Sequence, residues 1–570
     1  MKSGGYAALF CFFCVSLSSA QDSPPQHLPP QHLPPQHLVQ DWSSRQVVFS
    51  GLTPETLDDA VAADPRAWHS WLNHARYNFH SVTESISEPN PDSARRRHKK
   101  SLRRDWQMNL GSGSSVGPRT FPAKFSFNIN APPDCINDYV VFGTSNSVFT
   151  GHLGGAASIV AFNNLYTGPG PTGICPTPAA PASQPSVLFS YNTASVPIGL
   201  SSANLSPVLS LDGTKIGFVE NNTGSGNNYT AFHVLTWKAG EGTLSSSALP
   251  GNCAAGNSCL TTLVLSTSSS DRRSSPFVDY SHDTAYVGDG ALLHKITPVF
   301  GGTPKDTVGG GWPVALVSTG SPVYDSVSGR VFVVATVAGT NSLVVLNAAT
   351  GATISSTALT ALTASDLIVD STNQTVFVFF TAIPGFALTV DQFGTSGTLL
   401  THLVAGHVAG NVSIFTGTFD HNYFSNPSTG RLYFAGAING IGSLYGVGFT
   451  GKFMDTTFSG PLALSTSATT SIPTPLTSIY NPTLTGSPDR LFVGLDENCA
   501  SASTLGCMEG LNISSGFPSG VLNQLTIPLS GSLLDVSGII IDNVSASAQA
   551  SSIYFDGAGV AFKLTQSALQ

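Results

Sequence analysis

The segment SPVYDSVSGRVFVVATVAGTNSLVVLNAATG, residues 321–351, reads as three short strands joined by two turns. Apolar stretches at 321–325, 330–336 and 342–347 are separated by a Val/Ser/Gly turn and a Gly/Thr/Asn turn. Its hairpin core, a turn followed by alternating apolar residues with an aromatic near the middle, recurs along the chain. The copies lie at 138–142, 215–219, 284–287, 330–334, 375–379, 431–434, 490–493 and 552–555. Recurrence every few tens of residues marks a repeat architecture, because one such unit stacks on the next to build a continuous core. The expected fold is therefore all-β, a β-propeller of eight blades, or of seven if one hairpin is an excursion.

Composition agrees with one large β-body. Only 10% of the 570 residues are charged. Gly, Ser, Thr and Asn crowd the turns, and Val, Ile, Leu and Phe crowd the runs between them. Lys2, the apolar run 6–17 and the small residues Ser18, Ser19 and Ala20 form a signal-peptide pattern over residues 1–20, too short in its apolar part to span a bilayer. No later run reaches spanning length, so a secreted or periplasmic protein is expected. After cleavage six cysteines remain, an even number that suggests disulfides in an exported chain. Locality favours Cys135 with Cys175, Cys253 with Cys259, and Cys499 with Cys507.

The first hundred residues have a different texture. Three copies of PPQHL lie within 21–50, where proline keeps the chain extended, and this stretch reads as a spacer. Over 51–94 the text becomes helical. Thr53 caps, Pro54 occupies the first helical position, and Trp68, Trp71, Leu72, Ala75 and Phe79 fall on one apolar stripe. That stripe packs on the body or docks a partner. RRRHKKSLRR, residues 95–104, holds seven of the 24 Lys and Arg residues, whereas the chain from Asp105 onward carries 13 Lys or Arg against 24 Asp or Glu. The acidic body repels phosphate and no aromatic interleaves the basic run, so it reads as a linker, with no nucleic-acid partner. The propeller is expected over 105–570. Its last unit has only three strands, and DWQMNL at 105–110 is expected to supply the fourth and close the ring.

LSLDGTKIGFVE, residues 209–220, resembles the aspartate-glycine hairpin repeat of periplasmic Tol-system propellers, and SLVVLNAATGATI, residues 342–354, is similar to the repeat of quinoprotein-type propellers. More broadly, FPAKFSFNI, SIVAFNNLYTG and SLDGTKIGFVE together resemble uncharacterised secreted bacterial proteins. The resemblance implies a fold and export, and brings no assigned activity. A quinone cofactor does not follow, because the repeated tryptophan-docking blades and vicinal cysteine pair of that family are missing from the sequence.

Propeller ligands usually meet the funnel made by loops after each blade's second strand. There four units carry an acid: Glu220, Asp289, Asp496 and Asp556. They fall in the second, third, seventh and eighth units and form one arc flanking the first. Such an arc suits calcium or sugar hydroxyls, and Asn221, Asn222, Asn227 and Asn228 in the loop after Glu220 suit the same ligands. His282 with Asp283, and Asp420 with His421, are the best acid and base neighbours, both beside hairpin turns. No HExxH, P-loop, complete calcium loop or GxSxG elbow occurs. The expectation is an exported, monomeric, non-enzymatic binding or scaffold propeller for a surface polymer (glycan) or a protein, without a resident cofactor unless calcium binds the arc. The alternative is an extracellular glycan lyase or hydrolase using funnel carboxylates.

Overall fold

The structure is a computed structural model. It describes Met1, residues 35–75 and residues 102–566, apart from 112–116, 118, 145–156, 168–173, 176–183, 194–200, 225–226, 269–272, 384–385, 408–413, 467–470, 482–487, 500–505, 528–535 and 544–549. The leader, Phe79 and most of the basic run lie outside the described residues. From Pro34 to the C-terminus the chain is one compact unit.

Eight antiparallel sheets succeed one another along this unit and form the blades of a propeller. Their second strands are Tyr139–Gly143, Lys215–Gly224, Thr284–Gly288, Arg330–Val337, Thr375–Ala382, Arg431–Ile438, Asp489–Leu495 and Ser552–Gly557. Each carries one of the eight hairpin cores read from the sequence, so the blade number is eight. Blade 4 shows why. In Arg330–Val337 five consecutive residues, Val331 to Ala335, are buried, because a middle strand packs against neighbouring blades on both faces. The outermost strand, Thr353–Ala358, is polar and mostly exposed. Between the second and third strands Ala338 (φ 50°) and Gly339 (φ 82°) make a two-residue turn with both φ values positive, whose twist matches the flanking strands. Asn439 with Gly440, and Ala558 with Gly559, make the same turn in blades 6 and 8.

Neighbouring blades are tied where each innermost strand begins. The Phe121 amide donates to Ser206 Oγ (3.0 Å), the Ser206 amide to Ser275 Oγ (3.1 Å), and the Ser275 amide to Ser321 Oγ (3.1 Å). The Ser321 amide reaches Asp366 Oδ1 at 3.4 Å, carrying the chain of bonds from blade 1 to blade 5. A recurring Ser-Pro at 206–207, 275–276 and 321–322 underlies it. Leu476 N to Thr416 O (3.1 Å) joins blades 7 and 6, and Gly538 N to Thr120 O (2.8 Å) joins blade 8 to blade 1.

Blade 8 is completed from the other end of the chain. Leu102–Asn109 pairs antiparallel with Val560–Gln566 as its outermost strand, so Arg103 and Arg104 of the basic run belong to a strand. Trp106, 3% exposed, donates Nε1 to Leu165 O (3.0 Å) and packs beside Phe162 and Tyr554. Asp105 faces Lys563 at 2.8 Å, both side chains fully buried.

The N-terminal stretch departs furthest from a spacer followed by a helical appendage. Leu38–Gln40 pairs antiparallel with Ala123–Ser126, the innermost strand of blade 1, and Val47–Val48 pairs parallel with the end of Ala361–Asp370, the innermost strand of blade 5. Both additions lie on the axial side of an innermost strand. Blades 1 and 5 are opposite members of an eightfold ring, so residues 38–48 cross its central channel. Helix α1 (Pro54–Ala63) follows, opened by a Thr53/Thr56 capping box, then α2 (Arg66–Ser70) and a π-helical turn, Trp71–Ala75. The first part of the apolar stripe is covered: Trp68, Trp71 and Leu72 pack with Leu38, Leu57 and Ile129.

The six cysteines pair as Cys135–Cys175, Cys253–Cys259 and Cys499–Cys507, the pairing that locality favours. Among the described residues no helix is long and apolar enough to cross a membrane.

Two outcomes are expected in denaturant unfolding of the intact chain. Asp105→Ala removes the carboxylate facing the buried Lys563 and lowers stability by about 3–5 kcal/mol, whereas Arg104→Ala, exposed on the same strand, stays within about 0.5 kcal/mol. Trp42→Ala empties a site that is 1% exposed at the ring's centre and lowers stability by about 3–5 kcal/mol. A change below about 1 kcal/mol for Trp42→Ala would mean that the crossing segment adds nothing to the ring.

Candidate functional site

The four carboxylates expected at the funnel are each engaged within their own blade. Asp289, 2% exposed, accepts the amides of Ala291 (2.7 Å) and Leu292 (2.6 Å), closing the turn between the second and third strands of blade 3. Asp496 accepts the Ile472 amide at 2.6 Å in blade 7. Asp556, 1% exposed, accepts the Gly559 amide at 3.0 Å with one oxygen, while Oδ2 is buried without a hydrogen-bond partner. Glu220, also 1% exposed, meets His233 Nε2 at 2.8 Å.

Asn221 and Asn222 do not lie in a loop. The hairpin continues through them, pairing Asn221 with Thr230 and Asn222 with Tyr229, and Thr230 Oγ1 donates to Asn221 Oδ1 at 3.0 Å. A cross-strand hydrogen bond between these polar side chains lets the ladder extend where hydropathy alone reads a loop. The side chains of Asn227 and Asn228 are outside the described residues.

Two histidines that sequence reasoning passed over complete the carboxylates. His233 lies diagonally across the hairpin from Glu220, its Nδ1 3.0 Å from Thr262 Oγ1. His294 sits between two acids, with Nε2 3.3 Å from Asp289 and Nδ1 2.9 Å from Asp306. Burial opposes its protonation, but the two carboxylates prevail and hold its pKa up at about 9. The legible signal was a strand register that puts an acid and a histidine on one face of adjacent strands. Spacing along the chain hides it.

The acid and base neighbours are separated by their backbone. Asp283 turns its carboxylate to the amides of Phe300 and Gly301 (both 2.7 Å), while the exposed His282 pairs with Asp279 at 2.7 Å. Asp420 caps helix α3 (His421–Ser425) through the Tyr423 amide at 3.0 Å. His421 faces the other way, its ring stacked on Tyr480 at 3.5 Å and its Nδ1 on the His74 carbonyl. Among the described residues no three His, Cys, Asp or Glu side chains gather as a metal site.

What converges instead lies on the axis. Arg66, 3% exposed, pairs with Asp64 (3.1 Å), donates to Val278 O (2.6 Å) and Ser43 Oγ (2.8 Å), and stacks over Phe277. Tyr280 donates to Asp41 Oδ2 at 3.1 Å, so blade 3 grips the crossing segment from several sides. On the blade 5 and 6 side, Ser50 and Tyr423 both donate to Asp370 Oδ2 (2.8 and 2.7 Å), Gly51 N donates to Phe424 O (2.7 Å), and the His74 ring stacks on Phe424 at 3.9 Å. A cavity of about 40 Å³ remains between this segment and the innermost strands of blades 5 to 8, with Arg45, His69, Asn73 and His74 among its lining residues.

No protein-family model matches the chain, and no curated protein matches it. Among solved structures it is similar to a protein from Lactobacillus plantarum, at 12% identity and a TM-score of 0.38, over 68% of this chain and 96% of that one. It is also similar to the Dos1 propeller, at 9% identity and a TM-score of 0.42, over 81% of this chain and 95% of that one. The fold assignment rests on the eight sheets themselves.

Buried turn carboxylates give stability a definite pH dependence. Burial raises the pKa of Asp496 to about 7 and that of Asp556 to about 8. A carboxyl whose folded pKa lies above its unfolded value binds more protons in the folded state. Its contribution therefore falls as pH rises from about 4 through the folded pKa. The Asp556→Asn variant, neutral throughout, is expected to show a shallower loss of stability between about pH 5 and pH 8 than the wild type in urea titrations. Equal slopes would show that Asp556 ionises in the fold as freely as in the unfolded chain.

Proposed function

We propose that this chain is an exported, non-enzymatic binding propeller that meets a surface glycan through its loops rather than through its axis. The observation that carries this reading is the channel: the space in which a propeller most often receives a ligand is crossed by residues 38–48 and packed by Trp42, Arg66 and Trp68 of the same chain. The funnel carboxylates support it too, since each gives at least one oxygen to a turn amide or a histidine of its own blade. Three disulfides accord with an oxidising compartment. An open depression of about 610 Å³ on blade 2, lined by Glu241, Leu249, Asn252 and Asn257, offers hydrogen-bonding groups beside an apolar side chain that is 56% exposed. Sugar rings present the matching combination of hydroxyls and apolar faces.

The test is an array of plant, microbial and cell-wall polysaccharides probed with the intact chain, with calcium and with chelator, scoring retention and released product. Retention without product is expected, weakened roughly tenfold or more by Leu249→Asp, a loss of about 1.4 kcal/mol. Product release would establish the lyase or hydrolase reading instead. Retention that survives Leu249→Asp but is lost in chelator would move the ligand to the carboxylate arc and calcium.

A further inference from the structure

Two arginines of the N-terminal stretch, Arg45 in the crossing segment and Arg66 in α2, sit near the propeller axis, and they are treated differently. Arg66 has a carboxylate, a carbonyl and a hydroxyl as partners. The side chain of Arg45, the last residue of the 3-10 turn Trp42–Arg45, makes no hydrogen bond and no ion pair among the described residues. Its guanidinium lies over the Phe121 ring at 5.0 Å, and its Nη1 is buried without a partner. Arginine does not escape an uncompensated site by releasing its proton at neutral pH. Burial alone brings its pKa down to about 9, with no acid acting against it.

The cavity beside Arg45 is apolar on the side of Ile368, Phe419 and Ile539–Ile541 and carries its polar groups on the side of the N-terminal stretch and Ser478, with no acid among them. Ser44, His69, Ser70, Asn73, His74 and Ser478 contribute to its wall, and no Asp or Glu does. His74 Nδ1 likewise lacks a hydrogen-bond partner. Burial, followed by the charges of Arg45 and Arg66, lowers the pKa of His69 to about 4, and burial first, then His421 and His69, keeps His74 well below its usual value. At neutral pH both rings are uncharged donors or acceptors, and Arg45 is the cation of the cavity. A partly buried cation without a counter-charge is costly, and an anion bound at its planar fork reduces that cost.

We propose that the axial cavity is a binding site for one small oxyanion, held by Arg45 with the His74 Nδ1–H and the neighbouring hydroxyls as further donors. The volume sets the size class. The cavity, about 40 Å³, exceeds the roughly 10–15 Å³ that one water needs and admits a small oxyanion such as formate, nitrate or bicarbonate. Sulfate, tetrahedral and with one more heavy atom, is the poorer fit. The site is independent of any glycan on the outer loops.

Thermal unfolding of the intact chain at constant ionic strength provides the test, with sodium gluconate, too large for the cavity, replaced stepwise by sodium formate, nitrate or sulfate. Formate and nitrate are expected to raise the Tm saturably, by roughly 2 °C or more at a hundredfold excess over Kd, and sulfate to give no saturable rise. Arg45→Met abolishes the saturable component, and Arg45→Lys, which keeps the charge but loses the fork, weakens it at least about tenfold. If Arg45→Met fails to fold, calorimetric titration of formate into the wild type and into His74→Ala decides the matter: saturable heat is expected in the first and a weakened one in the second. Identical melting in formate and gluconate, a saturable rise that persists in Arg45→Met, or equal saturation by sulfate each overturns the proposal.

Discussion

Eight innermost strands stand around a common axis, and each presents its inward edge to the middle of the ring. An edge of unpaired amides and carbonyls is costly unless water, side chains or another strand satisfies it. In this protein the chain itself does so at two opposite blades: Leu38–Gln40 lies along blade 1 and Val47–Val48 along blade 5. Trp42 of this segment, with Phe49 just after it and Ala67 of α2, joins the buried apolar cluster that blades 2 to 5 share. The crossing segment is thus a structural member of the ring, and the core of the molecule passes through its axis.

Polar groups brought to the axis are handled by local pairing. Arg66 carries its own carboxylate two residues away in Asp64, so the pair enters the interior nearly neutral. Around the channel, serine hydroxyls at the starts of the innermost strands take the amide of the blade before. Proline follows each of these serines and has no amide of its own to satisfy. Blade-to-blade registration is therefore built from the same residues that begin each blade. At the seam between blades 8 and 1, the Gly538 N to Thr120 O bond is supplemented by a buried Asp105–Lys563 pair and Trp106 on the strand that completes blade 8.

The blades were legible because a middle strand buried on both faces must be apolar throughout, as in VFVVATV of blade 4, and its turns must admit positive φ, as at Gly339 and Gly440. Local disulfides were legible because sequence neighbours on a hairpin stay neighbours in space. The axial segment was not. Residues 35–50 follow a proline repeat, and strands of two or three residues carry no period that a reader can count. The acids just beyond the aromatic of each second strand were found, although Glu220 and Asp556 lie within the strand, but their partners were not, since Glu220 with His233 and Asp289 with His294 meet only through strand register. Arg45 resembles any surface arginine in the sequence. Only its place at the end of a turn in the channel makes its missing counter-charge visible.

The segment that fills the axis and the strand that completes the last blade both precede the eight blades in the chain. During synthesis they emerge first, with nothing to pair with: Val47 waits for Val369, and Leu102 waits for Gln566. Contacts so distant in sequence form late and slowly. The ring must then assemble around a segment already present, and it closes only once Val560–Gln566 is available to pair with Leu102–Asn109.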